Sequence, residues 1–320
     1  MWNNNDMLSL DRHIGSLKYI IPTIQILSLM KEVEKWLSMN DCGAIIYGRS
    51  RVGKTRAITY ISEELRNNFG AELPIYVYCA TDYPATQKTF YSSLLTVMKH
   101  EDPHRGTAVQ LRQRLVNRII VNAIGTKYRR AVLFVDEAYL LTEKEYIWLI
   151  DIYNELYNND ILLTVFLVGT PELKEQKISF MRTGKEQIIQ RFMTNEYEFH
   201  GIRNLKEMMA CLDFMDEEIY IPNTGEKVIL SKYFFPLAYE DGIRLIDYAG
   251  DIYSAFRELQ MKYNVKSNEI LMKHFVDAVL YCMKMYGIHG KAHYKPVKEE
   301  WTDAILNIGF IYNQLSGDQL

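Results

Sequence analysis

Short, almost wholly apolar runs alternate with segments of three-and-four apolar spacing over the first two thirds of the chain. Residues 20–37, IIPTIQILSLMKEVEKWL, carry Pro22 near the start and apolar side chains at Ile26, Leu27, Met30, Val33 and Leu37. This predicts a helix leading into the first strand. CGAIIY, residues 42–47, then predicts a strand that runs through a glycine-containing turn into a helix, AITYISEELRNNF. The alternation continues with strands at 75–79 (IYVYC), 131–138 (AVLFVDEA), 162–170 (LLTVFLVGT) and, shorter, 195–200 (NEYEFH). Helical spacing fills 90–99, 107–124 and 146–158 between them. Apolar strands alternating with helices predict an α/β fold, with a mostly parallel five-stranded sheet covered on both faces and ligands at the carboxyl ends of its strands.

After about residue 204 the strand pattern fades. Residues 204–219, 242–263 and 268–286 all carry helical periodicity, and 221–235 predicts a small hairpin around Asn223 to Gly225. One more helix is expected at 301–315. The expected organisation is an N-terminal segment and leading helix (1–40), an α/β core (41–204), a helical lid with an inserted hairpin (205–290) and a helical tail (291–320).

Composition narrows the class. Of 320 residues, 48% are hydrophobic and 24% charged, which is globular and excludes a disordered or collagenous chain. Thirty-seven basic against 40 acidic residues exclude a generally polybasic protein, so any nucleic acid would be met by a local patch. Cys42, Cys79, Cys211 and Cys282 are far apart with no CxxC pair, which suits a reducing compartment and argues against structural zinc. The first residues lack a basic region followed by an apolar stretch, and no run approaches eighteen apolar residues. A cytoplasmic location is expected.

The strongest chemical signal is Gly48-Arg49-Ser50-Arg51-Val52-Gly53-Lys54-Thr55, a complete G-x-x-x-x-G-K-T between a strand and a helix, with Arg56 following. Its glycines let backbone N–H groups curl around phosphate oxygens, Lys54 would reach the β- and γ-phosphates of ATP, and Thr55 would ligate Mg²⁺. Asp136 and Glu137 end an apolar strand at the same sheet edge, Asp136 suited to the Mg²⁺ shell and Glu137 to polarising an attacking water. Thr170, at the end of the fourth strand, suits γ-phosphate sensing or simple capping before Pro171. Arg191 is the first candidate for a cation delivered into a neighbouring subunit's site, with Arg182 second. Arg244, at the expected start of a distal helix, is placed to fold over phosphates if a lid closes. Between Lys99 and Arg130 eight basic residues face two acidic ones. On a helical wheel Leu111, Leu115, Ile119 and Ala123 share one side, and Thr107, Gln110, Arg114, Asn117 and Arg118 the other. Such a face is either solvated or, with Arg105 just before it, touches phosphates.

The order GRSRVGKT, LFVDEA, VFLVGT, QRFM and GIRLIDYAGDI resembles the AAA+ ATPases that regulate DNA transposition, of the TnsC and TniB type, including those of CRISPR-associated transposons. The resemblance runs from about residue 21 to 256, and IstB-like helpers and origin-binding initiators share parts of it. It implies a Walker A pair at Lys54 and Thr55, a Walker B pair at Asp136 and Glu137, sensor one at Thr170, a trans-acting finger at Arg191 and sensor two at Arg244. It also implies backbone contacts to duplex DNA from Arg105, Thr107 and Arg114, with Arg118 on the same face. Assembly of identical subunits as a ring or filament on DNA, with a transposase and a TniQ-type targeting partner in a bacterial cytoplasm, would follow. A helicase loader or replication initiator, and a STAND-like signalling ATPase, are the competing classes.

Overall fold

The computed structural model describes residues 19–221, 226–287 and 294–311. Contacts divide the chain into two compact units, one made of residues 28–50 and 54–199, the other of the remaining described residues, including 51–53 and everything from 200 onward.

The first unit is built on five strands: β1 (Gly43–Tyr47), β2 (Ile75–Cys79), β3 (Arg130–Asp136), β4 (Leu162–Gly169) and β5 (Asn195–Glu198). They lie in the order β2-β3-β4-β1-β5, and every pairing is parallel. Every residue of β3 is buried, as are all of β4 beyond Leu162 and β1 up to Ile46. These are the near-continuous apolar runs that a sheet covered on both faces requires. Phe134 and Phe166 pack at a ring-centroid distance of 5.0 Å, with Trp36 of helix α1 (Ile24–Ser38) 6.0 Å from Phe166. Helices α2 (Lys54–Phe69), α3 (Gln87–Val97), α4 (Ala108–Ile124), α5 (Glu143–Tyr157), α6 (Glu172–Arg182) and α7 (Glu186–Phe192) complete the unit. Their starts are set by local hydrogen bonds. The Thr107 hydroxyl accepts from the Gln110 N–H (3.3 Å) while Gln110 Oε1 accepts from the Thr107 N–H (2.9 Å), and Glu145 Oε2 accepts from both the Thr142 N–H (2.8 Å) and the Thr142 hydroxyl (2.9 Å).

The second unit is mainly helical: α8 (Leu205–Met215), α9 (Leu230–Phe234), α10 (Pro236–Glu240), α11 (Ala249–Lys262), α12 (Met272–Tyr286) and α13 (Lys298–Asn307). Its core gathers Leu212, Phe234, Phe256, Phe275, Trp301 and Phe310, all essentially inaccessible to solvent. Strands β6 (Ile219–Ile221) and β7 (Glu226–Val228) pair antiparallel, while the expected turn at 223–225 lies outside the described residues.

Several boundaries differ from the sequence reading. The helix expected over 204–219 ends at Met215, and the tail helix spans 298–307, starting three residues before the expected 301, while 312–315 of the expected span lie outside the described residues. The helix expected over 242–263 is preceded by a separate 3-10 turn, Leu245–Tyr248, and begins at Ala249. Asp247 Oδ2 accepts the Arg244 N–H (2.8 Å) and Asp216 Oδ2 accepts the Leu245 N–H (3.0 Å). Those side-chain acceptors satisfy N–H groups at a turn and let the α-helix start four residues later. Among the described residues no helix is long and apolar enough to cross a membrane.

Candidate functional site

The loop between β1 and α2 depends on its glycines for two different reasons. A Cβ on Gly48 would stand 1.9 Å from the Phe199 carbonyl oxygen, so β5 and the loop approach closely only because that atom is missing. Gly53 has φ +108, a conformation disfavoured for any side chain, and the preceding Arg51 is also left-handed at φ 65. Val52 is fully buried, Ser50 and Arg51 are exposed, and Arg49 and Arg56 are half-buried.

Lys54 begins α2 and is 8% exposed. Its ammonium donates back to the Gly48 carbonyl (2.7 Å) and the Arg49 carbonyl (2.9 Å), so the charge is held inside the loop's curve by backbone oxygens. The Thr55 hydroxyl donates to Asp136 Oδ2 (2.7 Å), and Asp136 Oδ1 accepts the Glu137 N–H (3.0 Å). A buried carboxylate beside a hydroxyl is a hard-oxygen pair of the kind that holds Mg²⁺ together with substrate phosphates, so Thr55 and Asp136 fit that ion. Among the described residues no group of three or more His, Cys, Asp or Glu comes together as a self-sufficient metal site.

Two neighbouring polar atoms have no hydrogen-bond partner although buried: Glu137 Oε2 and Thr170 Oγ1. Thr170 therefore does not cap the following helix with its side chain; the α6 cap position falls on Pro171. Unpaired buried polar atoms are uncommon in folded proteins, and two at one sheet edge fit a polar ligand. Glu137 adopts φ 53, ψ 37, a left-handed conformation unusual for a residue with a side chain. Burial, and secondly the adjacent Asp136, push its carboxyl above the usual carboxylate range, while Lys54 opposes that shift.

Sequence reasoning gave Cys79 no role at this edge, yet it stands opposite Asp136 in the β2–β3 register. Burial, then Asp136 and Glu137, raise its thiol pKa, so it remains a thiol. Strand order is what brings the two together, and strand order is not written in any local pattern.

The remaining candidates lie elsewhere. Arg191, on α7, donates to Asn154 Oδ1 (2.7 Å), and its guanidinium lies 5.4 Å from the Tyr153 ring centroid. Arg182 ends α6 and is exposed. Arg244, in the second unit, stacks on Tyr239 at 3.6 Å and donates to the Tyr239 and Ile243 carbonyls (2.9 and 3.0 Å). It sits at the cap of the 3-10 turn, not on the first turn of a long helix.

On α4 the apolar face is buried as the wheel predicts, through Leu111, Leu115, Ile119 and Ala123. The opposite face borders an open groove of about 750 Å³ lined by Arg105, Gln110, Arg114, Asn117 and Arg118, with Asp102 at one side. Arg105 and Thr107 are exposed. Thr107 is occupied in the helix cap, and Arg114 donates to the Asp102 and Arg105 carbonyls (2.6 and 3.0 Å), fastening the loop before the helix. The wider basic cluster is less available than its charge count implies. Arg130 is 3% exposed and donates to the Leu37 carbonyl (2.6 Å) and to Asn40, and Arg129 binds the Asn159 and Asp160 carbonyls (both 3.2 Å).

The strands run parallel in the order β2-β3-β4-β1-β5, with the glycine loop after β1 and the acids at the end of β3, and residues 40–176 match the family model described as "AAA domain". The chain has an AAA+ fold. Solved AAA+-like structures agree over most of its length. The Aeropyrum pernix ORC2 protein, determined as ADPNP–ADP complexes, is 14% identical, with 92% of this chain and 71% of that one aligned at a TM-score of 0.55. The Aeropyrum pernix ORC1 protein in complex with DNA is 11% identical, over 87% of this chain and 64% of that one, at 0.51. Domain III of the Thermotoga maritima replication initiation protein DnaA is 13% identical, over 92% and 96%, at 0.50. No curated protein matches the chain in sequence. At these identities the likeness is one of fold, and the AAA+ fold accounts for Lys54, Thr55, Asp136, Glu137 and Thr170 lying on one compact unit.

Proposed function

We propose that the chain is a Mg²⁺-dependent ATPase that assembles on duplex DNA and regulates transposition. The observation that carries the ATPase reading is the constellation at the carboxyl edge of the sheet. Lys54 is held in the loop, the Thr55 hydroxyl meets Asp136, and Glu137 Oε2 and Thr170 Oγ1 are buried without partners. In this reading Gly48 to Thr55 cradle the phosphates, Thr55 and Asp136 hold Mg²⁺, Glu137 orients and deprotonates water, and Thr170 senses the γ-phosphate. Mg²⁺ would supply charge neutralisation between the phosphates. Arg191, with Arg182 as the rival, serves a neighbouring subunit's site, and Arg244 responds from the lid.

Duplex DNA is assigned to the groove beside α4, through Arg105 and Arg118 and through the loop that Arg114 fastens. Contacts of this kind are to phosphates and carry no base sequence. The ordered motif set supports a transposition regulator that links a TniQ-type targeting protein to a transposase, with hydrolysis releasing subunits. The fold likeness to DnaA domain III and to the ORC proteins supports a second reading, a replication initiator or helicase loader acting on a helicase instead.

Electron microscopy of the protein with duplex DNA under ATP, a non-hydrolysable analogue, ADP and no nucleotide tests the shared part. Ordered rings or filaments only with the ATP-like ligands are expected. Protein that stays off DNA in every state would remove the groove assignment and favour a partner-activated signalling ATPase. Co-sedimentation of those assemblies with a transposase or with a replicative helicase then separates the two DNA-linked readings.

A further inference from the structure

Glu137 is a residue in an unfavourable backbone conformation whose carboxylate nothing in the described structure grips at Oε2. What holds it in place must therefore act on the backbone around it. Immediately after it the chain makes a 3-10 turn, Ala138–Leu140, closed by the Leu140 N–H on the Glu137 carbonyl and the Leu141 N–H on the Ala138 carbonyl (both 3.0 Å). One side chain from another element clasps this turn. Gln176, in the middle of α6, donates from Nε2 to the Leu141 carbonyl (2.9 Å) and the Tyr139 carbonyl (3.4 Å). Its Oε1 accepts from the fully buried Tyr146 hydroxyl (2.8 Å), whose longer alternative acceptor, at 3.4 Å, is the Ala138 carbonyl.

The three partners determine which way the amide faces. Two backbone carbonyls require the NH₂ end, and the phenol proton goes to the oxygen end. A carboxylate or thioether at this position loses the donors, and a shorter amide does not span the same gap. Gln176 also lies on the helix that begins directly after Thr170 and Pro171. The clasp thus ties the helix after one polar group of the sheet edge to the turn after the other.

We infer that Gln176, oriented by Tyr146, is a positioning residue that holds the Glu137 turn in the conformation needed for hydrolysis; the inference rests on the proposal that Glu137 activates water. It touches neither nucleotide nor water itself. Its loss leaves the phosphate loop untouched, because Lys54, Thr55 and Asp136 make their hydrogen bonds without it.

The test is steady-state ATP hydrolysis and equilibrium ATP binding, with duplex DNA present, for the wild type, Gln176→Met, Tyr146→Phe, Glu137→Gln and the double variant Gln176→Met/Glu137→Gln. Gln176→Met is expected to lower kcat roughly ten-fold or more with KM and ATP affinity unchanged, as displacement of a reacting group does. Tyr146→Phe is expected to lower kcat less, by a few-fold. In the double variant the rate should fall no further than in Glu137→Gln alone, since both changes remove the same contribution. A general loosening of the fold would instead raise KM and add to the Glu137→Gln effect. Wild-type kcat in Gln176→Met beside a slowed Glu137→Gln overturns the inference and leaves the hydrolysis reading standing. Additive losses in the double variant also overturn it. If Gln176→Met fails to fold or to bind ATP, Tyr146→Phe decides, and wild-type kcat there overturns the inference. A wild-type protein that hydrolyses no ATP overturns both the inference and the reading beneath it.

Discussion

In the proposed reading Glu137 joins the chemistry of the site to its backbone strain in one residue. A left-handed conformation in a residue with a Cβ costs on the order of 1–3 kcal/mol, and such costs persist where the surroundings enforce them. Its carboxyl is raised above the usual range by burial and by Asp136. Only the ionised form accepts a proton from water, so hydrolysis is expected to fall as pH drops through a value above that of an ordinary carboxyl group. The residual rate of Glu137→Gln should lack that limb of the pH–rate profile. Stability follows the opposite sense. A carboxyl whose pKa is raised on folding favours the unfolded state once it ionises. Glu137→Gln should therefore raise Tm at neutral pH, with the gain disappearing below about pH 4, where the side chain is protonated in both states. Thermal melts of the two proteins at both pH values check this. An equal Tm difference at the two would place the substitution's effect in packing rather than in charge.

At the scale of elements, cations in one stretch of sequence divide between two jobs. Arg105 is exposed before α4, whereas Arg130 opens β3 and is buried against the carbonyl that ends α1. Burial lowers the Arg130 pKa without discharging it, so its charge is spent on Leu37 and Asn40. Arg130→Met is expected to cost about 1–3 kcal/mol, because two charge-assisted bonds are lost: the Leu37 carbonyl keeps only the Asn40 N–H (3.1 Å), and Asn40 Oδ1 loses its guanidinium donor. That lowers Tm by roughly 2–4 °C per kcal/mol for a domain of this size. Arg105→Ala should leave Tm unchanged and make the salt dependence of DNA binding shallower, by about 0.9 in log–log slope for each phosphate that Arg105 neutralises. The reverse pattern would exchange their roles. The contrast also marks how far the sequence carries. Apolar runs placed all five strands to within a residue or two, because a strand buried on both faces can hardly be written otherwise. The glycine loop and the acids after β3 were legible for the same reason, being tied to strand ends. What was not legible depends on neighbours across the sheet. Cys79 faces Asp136, Arg130 reaches α1, and Gln176 clasps a turn some 35 residues earlier. The break at Arg244 to Tyr248 is only half local, since Asp247 accepts the Arg244 N–H from within it while Asp216, which accepts the Leu245 N–H, lies 29 residues upstream.

At the scale of the whole molecule, the proposed finger and the proposed water-activating acid belong to different working sites. In the proposed reading Glu137 would serve the nucleotide bound to its own subunit, and Arg191 the subunit beside it. Within the chain Arg191 is held by Asn154 and Tyr153 on α5, partners it would exchange for phosphate on assembly. Arg191→Ala and Glu137→Gln should each be nearly inactive alone on DNA. Mixed and assembled together, they are expected to recover part of the wild-type rate, because some junctions then combine an intact Glu137 with an intact Arg191 from the neighbour. A finger acting within its own subunit gives no recovery, since neither chain carries both residues. Repeating the mixture with Arg182→Ala in place of Arg191→Ala decides between the two arginines. Recovery with Arg182→Ala, together with full activity of Arg191→Ala alone, would move the finger to the end of α6, where Arg182 is already exposed.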